Sequence, residues 1–295
     1  MTLKTLTIGI DGSPTSQDAL AWGARLAAPS GATINAVGSW QMPLIAQLPV
    51  ASETKPTPEW MEQDCRRRLD QSVDAAVSTI GAPGSAVDIE RHVVEGKPGP
   101  ALVAASDSSD LLIVGRTGSG KRHGLARLAE IALGSTARYC IHHAHCPIAT
   151  VPEGAQWGED FRAVVGVDGS ESSVAALEWA LVHLPADAEI TAVRVIRDEN
   201  HSLELQSELS AWVDGVRDRA PSTARTAPVK LQVVPGYSGD VLVSLSPMPG
   251  LLVVGERGVT GVAARVLGST ADHVVRHAPG PVLVVPVDRT EPETP

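Results

Sequence analysis

The sequence predicts an α/β protein built from two tandem copies of a doubly wound, five-stranded parallel-sheet domain of Rossmann-like type. Three observations lead there. The chain repeats itself: TLTIGIDGSPTSQDALAWGARLAAPSGATINAVGSW, Thr5 to Trp40, is echoed by AVVGVDGSESSVAALEWALVHLPADAEITAVRVI, Ala163 to Ile196. Later segments match as well, DLLIVGRTG with LLVVGERG and GSTARYCIHHAHCPIATV with GSTADHVVRHAPGPVLVVPV, and self-similarity of this kind marks copies of one structural unit. Within each copy, short unbroken apolar runs such as Leu251 to Val254 alternate with segments of helical period, as strands buried on both faces of a parallel sheet alternate with their crossover helices.

In the first copy Thr5 to Ile10 is the opening strand. Pro14 suits the first turn of the following helix, with Ser13 as its N-cap, and Ala19, Leu20, Gly23, Leu26 and Ala27 give that helix one buried face. Thr33 to Trp40 reads as the second strand. Gln41 to Pro58 carries Pro43, Pro49, Pro56 and Pro58 without helical period, so it is expected as a loop or arm over the strand ends. Glu59 to Ile80 is helical, with Met61, Leu69, Val73, Ala76, Val77 and Ile80 on one side and the basic triplet Arg66 to Arg68 on the solvated side. Val87 to Val94 is a strand, Pro98 to Ser106 a helix, Asp110 to Val114 a strand, and Cys146 to Val151 the last strand of the copy. The expected division is a first domain over residues 1–153, a linker over 154–161, a second domain over 162–288, and a disordered tail over 289–295. Each half carries a full set of strands and helices, enough for a core of its own.

Composition bounds the function. A chain of 295 residues with 43% apolar residues is long enough for two cored domains. Its net charge of −10 argues against nucleic acid or an anionic membrane as the main partner, since both require a basic surface. MTLKTLTIGI lacks the apolar core of a signal peptide, and no run approaches the length of a membrane span, so a cytoplasmic location is expected. Three cysteines, Cys65, Cys140 and Cys146, are too sparse for a disulfide framework.

The chemistry-bearing stretch is LLVVGERGVTGVAARVLGST, Leu251 to Thr270. Gly255 ends a strand. Gly255 and Gly258 bracket Glu256 and Arg257, which permits positive φ angles and lets a ligand approach main-chain N–H groups without meeting a Cβ. Gly268, Ser269 and Thr270 then open a helix, whose free N–H groups, hydroxyls and positive dipole end suit an anion. This pattern, G-x-x-G, nine residues, G-S, resembles the ATP-binding signature of the universal stress protein family. VVGVDGS, Val164 to Ser170, and the closing strand GPVLVVPV, Gly280 to Val287, extend the resemblance. It implies an adenine nucleotide-binding fold, ATP as the ligand with or without Mg²⁺, and a non-catalytic, nucleotide-dependent role in stress or growth arrest through a protein partner. It further implies that the two domains pack as a pseudo-dimer, with a homodimer as a further state.

The resemblance names the second-half site as Asp168, Val195, Gly255, Arg257, Gly258, Gly268, Ser269 and Thr270. Asp168 is expected beside the nucleotide and the backbone near Val195 against the adenine. The first-half counterparts are Asp11, Ser39, Gly115, Thr117, Gly118, Gly134, Ser135 and Thr136. Asp11 and Asp168 also fit a plainer role, stabilising the turn before the next helix. In the first half fifteen residues separate Gly118 from Gly134, six more than in the second, so either the long loop closes over phosphate or it swings away and Gly118 and Ser135 no longer converge. The second half is therefore expected as the more certainly occupied site.

Two competing readings arise in the first half. GRTGSGKR, Gly115 to Arg122, meets the G-x4-G-K of a P-loop through Gly115, Gly120 and Lys121, but Arg122 stands where a Ser or Thr should hold Mg²⁺. CIHHAHC sets Cys140 and His143 three apart, as zinc ligands on one helical face or as the end of a helix whose dipole favours His. Function is thus open between a nucleotide-binding regulator, an ATP-hydrolysing or phosphoryl-transferring enzyme, and an interaction module without nucleotide.

Overall fold

The computed structural model describes residues 3–43, 56–80, 87–118, 133–155, 157–158, 160–197, 202–220, 228–258 and 267–287. The first half runs β1 (Thr5–Gly9), α1 (Pro14–Ala27), β2 (Thr33–Trp40), α2 (Pro58–Ile80), β3 (Ile89–Glu95), α3 (Pro98–Ala105), β4 (Leu111–Gly115), α4 (Ser135–His143) and β5 (Ile148–Val151). The second repeats it as β6 (Arg162–Gly166), α5 (Glu171–His183), β7 (Glu189–Ile196), α6 (Ser202–Arg219), β8 (Val229–Pro235), α7 (Ser238–Leu245), β9 (Gly250–Gly255), α8 (Ser269–His277) and β10 (Val282–Val285). The order of elements expected from the repeat is the order observed. Most of the proline-rich arm, the Lys121 and Arg122 segment and the C-terminal tail lie outside the described residues.

The ten strands of the described residues share one sheet, in the order β3-β2-β1-β4-β5-β10-β9-β6-β7-β8. Each half is parallel and winds outward in both directions from a switch between β1 and β4, or β6 and β9. The halves meet at an antiparallel seam, where Val282 stands opposite Thr150, Leu283 opposite Ala149 and Val284 opposite Ile148. The pairing gives the edge of each parallel sheet a hydrogen-bonded neighbour.

The apolar cores of the two halves are continuous with each other across the seam. One apolar layer joins α1 and α2 residues (Trp22, Leu26, Leu69, Val73) to α5 and α6 residues (Leu177, Leu181, Leu209, Val213) across one face of the sheet. A second joins Leu102, Cys140 and Ile141 to Leu242, Val274 and Val275 on the other. The segment that composition marks as a linker is itself packed. Trp157 stacks on Phe161 with ring centroids 4.2 Å apart and meets Trp22 edge-on at 5.7 Å. Asp18 accepts a hydrogen bond from the Gly154 N–H at 2.8 Å.

At the end of α5, His183 sits half-buried beside Trp179, with ring centroids 5.2 Å apart. Burial pushes its pKa down to about 4, against a weaker opposing pull from Asp110. The sign of the consequence follows directly. Above pH 6.5 the ring is neutral whether the chain is folded or not, and costs nothing. Between 6.5 and about 4 the unfolded chain takes up a proton that the folded chain refuses, so stability falls as pH falls and the penalty is complete below about 4. His183→Leu is expected to remove about 1–3 kcal/mol of that pH dependence. Urea midpoints at pH 7.5 and 4.5 check this; an equal loss in variant and parent would contradict it.

Candidate functional site

The site is assembled at the carboxyl ends of the strands, where β1 and β4 diverge. The D-G-S turn after β1 is built around Gly12, at φ +84°, and its counterpart Gly169, at φ +87°, both in the left-handed region that favours glycine. Asp11 Oδ1 accepts a hydrogen bond from the Ser13 N–H at 2.9 Å, and Ser13 Oγ in turn accepts one from the Ser16 N–H at 3.2 Å, capping α1. Asp168, Ser170 and Ser173 repeat this at 3.0 and 3.2 Å. Both aspartates therefore hold their turns, and Asp11 also lines a cavity described below.

The G-x-x-G loops differ from the sequence expectation in one respect. Gly115, Gly118, Gly255 and Gly258 do not adopt positive φ; what these positions require is a missing side chain. A Cβ on Gly118 would stand 3.1 Å from Asp11 Oδ2, and one on Gly258 only 2.6 Å from Asp168 Oδ2. A Cβ on Gly115 would press on Thr15 at 3.2 Å, and one on Gly255 on the Ser172 backbone at 2.6 Å.

The six extra residues of the first half do not separate the ends of its loop. Gly134 N–H donates to the Arg116 carbonyl at 2.8 Å, and Gly268 N–H donates to the Glu256 carbonyl at the same 2.8 Å. In both halves the start of the last helix is thus tied back to the Gly loop. These helices also begin differently from α1 and α5: Gly134 and Gly268 occupy the N-cap positions of α4 and α8, with no side-chain cap. Their first-turn N–H groups are left to be met from outside the helix.

A cavity of about 530 Å³ opens at this point in the first half. All eight residues expected there, Asp11, Ser39, Gly115, Thr117, Gly118, Gly134, Ser135 and Thr136, are on its wall. Val37, Leu102 and Val114 supply an apolar floor, and Thr117 Oγ1 lies 3.3 Å from Thr15 Oγ1. In the second half Asp168 faces Gly258, and Gly268 faces Glu256 and Arg257. Ser170 Oγ donates to the Arg257 carbonyl at 3.4 Å. Val195 is the last residue but one of β7, as Ser39 is of β2, and Ser269 and Thr270 open α8.

Among the wall residues that sequence reasoning missed are two on α2. Cys65 is buried, and its burial raises the thiol pKa. Arg68, assigned above with Arg66 and Arg67 to a solvated face, instead lines the cavity and packs over Gly12. The available signal was helical spacing, since Arg68 is three residues beyond the buried Cys65 and adjacent to the buried Leu69. Arg116, inside the first Gly loop, reaches the other half: its guanidinium donates to the carbonyl of Ala278 at the C-terminus of α8, and burial lowers its pKa. The Cys140 and His143 pair does not share a face. Cys140 is fully buried with its thiol toward the Gly99 carbonyl at 3.9 Å, and desolvation pushes its pKa up to about 12. His143 is exposed and stacked on Tyr139 at 4.0 Å. Among the described residues no helix is long and apolar enough to cross a membrane.

Comparison with known proteins bears on the family and the fold. A universal stress protein of Mycobacterium tuberculosis is 26% identical over 298 residues, covering 95% of this chain and 96% of its own. A second from that organism is 28% identical over 292 residues, covering 96% and 97%. The crystal structure of a universal stress protein from Archaeoglobus fulgidus superimposes with a TM-score of 0.66 at 18% identity, over 96% of this chain and 98% of the other, a likeness of fold. The model of the universal stress protein family matches residues 2–152 and again residues 161–286, and the chain belongs to that family as a tandem-domain member.

Proposed function

We propose that the chain binds an adenine nucleotide, ATP foremost, at the first-half cavity and at its second-half counterpart, and acts as a non-catalytic regulator whose partner surface depends on occupancy. The observation that carries the reading is the convergence of eight sequence-expected residues on one cavity of about 530 Å³ at the switch point of the sheet. That size is within the range that buries a small ligand, and the wall is chemically graded. Val37, Leu102 and Val114 suit the flat base. The Asp11 carboxylate accepts hydrogen bonds from ribose hydroxyls and repels phosphate, which directs the triphosphate toward Gly115, Gly118 and the open N-terminus of α4. The same residues fit a bound Mg²⁺ only through the phosphates it would accompany. The ionisable side chains among the described residues of the wall are Asp11, Cys65 and Arg68. Asp11 is engaged in holding its turn through the Ser13 N–H, a structural use of the carboxylate that favours binding over turnover.

Calorimetric titration of the full chain with ATP, together with steady-state phosphate release, tests the reading. Saturable ATP binding with turnover far below ~1 s⁻¹ is expected. Release at ~1 s⁻¹ or faster, abolished in Lys121→Ala, would make the chain a P-loop-like hydrolase. No ATP binding at all would leave the interaction module.

A further inference from the structure

The two halves carry opposite charge at one position beside their sites. The buried spacing Leu69, Val73, Ala76 of α2 recurs as Leu209, Val213, Val216 of α6, which puts Arg68 and Glu208 in equivalent places. On the neighbouring strand Ala36-Val37-Gly38 is matched by Ala192-Val193-Arg194. In the second half the two differences compensate each other, with Arg194 Nη1 3.8 Å from Glu208 Oε2. In the first half the strand position is a glycine against which Cys65 packs, and the helix position presents a cation to the cavity.

Arg68 is held loosely. Its Nε pairs with Asp64 Oδ2 at 3.0 Å on the same helix, with the Arg68 side chain 42% and the Asp64 side chain 17% exposed, and an ion pair four residues apart on a helix contributes only a few tenths of a kcal/mol. Its aliphatic stem crosses the turn at Gly12, with Cδ 3.5 Å from where a Cβ would stand. That turn adjoins Asp11, whose carboxylate faces Gly118. A planar guanidinium so placed can leave a weak surface pair for a phosphate that offers two oxygens in the same plane.

We propose that Arg68 is a phosphate-contacting residue of the first-half site, and that the exchange of Arg68 for Glu208 makes the first half the one that selects polyphosphate over uncharged nucleoside. The inference rests on the nucleotide-binding reading above. It reverses the order expected from loop spacing, in which the second half leads.

The test is titration of the full chain and of Arg68→Gln, Arg68→Lys and Asp64→Asn variants with ATP and with adenosine. Arg68→Gln is expected to weaken one class of ATP sites by about tenfold or more while changing adenosine affinity less than about twofold. Arg68→Lys keeps most of the ATP affinity, and Asp64→Asn leaves it unchanged or raises it. Equal losses for ATP and adenosine in Arg68→Gln, or the same loss in Asp64→Asn, would assign Arg68 a role in the base pocket or the helix and overturn the proposal. A parent chain that binds ATP, with Arg68→Gln indifferent, overturns this proposal alone. A parent chain that binds no ATP overturns the nucleotide reading and this proposal with it.

Discussion

Gly118→Asp is expected to lower ATP affinity of the first half at least ~100-fold, the largest functional effect among single substitutions in the site. Two terms add. The new Cβ would stand 3.1 Å from Asp11 Oδ2, so the turn must yield by a few tenths of an ångström. The new carboxylate then shares a partly desolvated cavity with Asp11 and occupies the region assigned to phosphate, where like charges repel strongly. Gly118→Ala separates the two, since it brings the steric term alone and is expected to cost far less. Calorimetry on folded variants is the measurement. Unchanged ATP affinity in a folded Gly118→Asp chain, with binding intact in the parent, would move the nucleotide out of this cavity.

The largest expected effect on stability is at the equivalent of Gly115 in the second half. Gly255→Ala is expected to destabilise the chain by about 2–3 kcal/mol, whereas Gly115→Ala costs about 1 kcal/mol or less. The reason lies in what each new methyl meets. At Gly255 it would press on backbone atoms of Ser172 at 2.6 Å, in the first turn of α5, and backbone cannot rotate aside. At Gly115 the nearest atoms of Thr15 are at 3.2 Å, a distance that small shifts relieve. Denaturant midpoints of the two variants decide the matter, and equal destabilisation would show that the two turns pack alike.

Much of this architecture was legible because its signals are local. The apolar runs Leu111 to Val114 and Leu251 to Val254 are buried on both faces and so read as unbroken strands. Ser13 caps α1 as its type and place require. The eight first-half candidate residues could be named because the repeat aligned them with second-half positions that the resemblance to the universal stress protein family implied. The remainder depends on contacts between distant segments, which leave no local trace. Nothing in IATV or VLVV announces that β5 and β10 pair antiparallel. A glycine needed for left-handed backbone and one needed for close approach look the same in sequence, so both reasons stood open at the loop glycines, and the second is the one that applies. Arg68 belongs to a basic triplet that charge alone assigns to solvent; its spacing from Cys65 and Leu69 is the one local sign that separates it from its neighbours, and the direction of α2 over the strand ends completes it.

The β5–β10 seam has a consequence for how the assembly behaves at low abundance. Two chains that each carried one such half would meet through these edge strands by bimolecular encounter, and the fraction joined would fall as they were diluted. Here both partners are on one polypeptide, bridged by a short segment whose Trp157 is itself docked on α1. The pairing is a first-order process, with a local concentration of one edge about the other on the order of millimolar or more. A cell that makes only a few copies therefore holds as large a fraction of them joined as a cell that makes many.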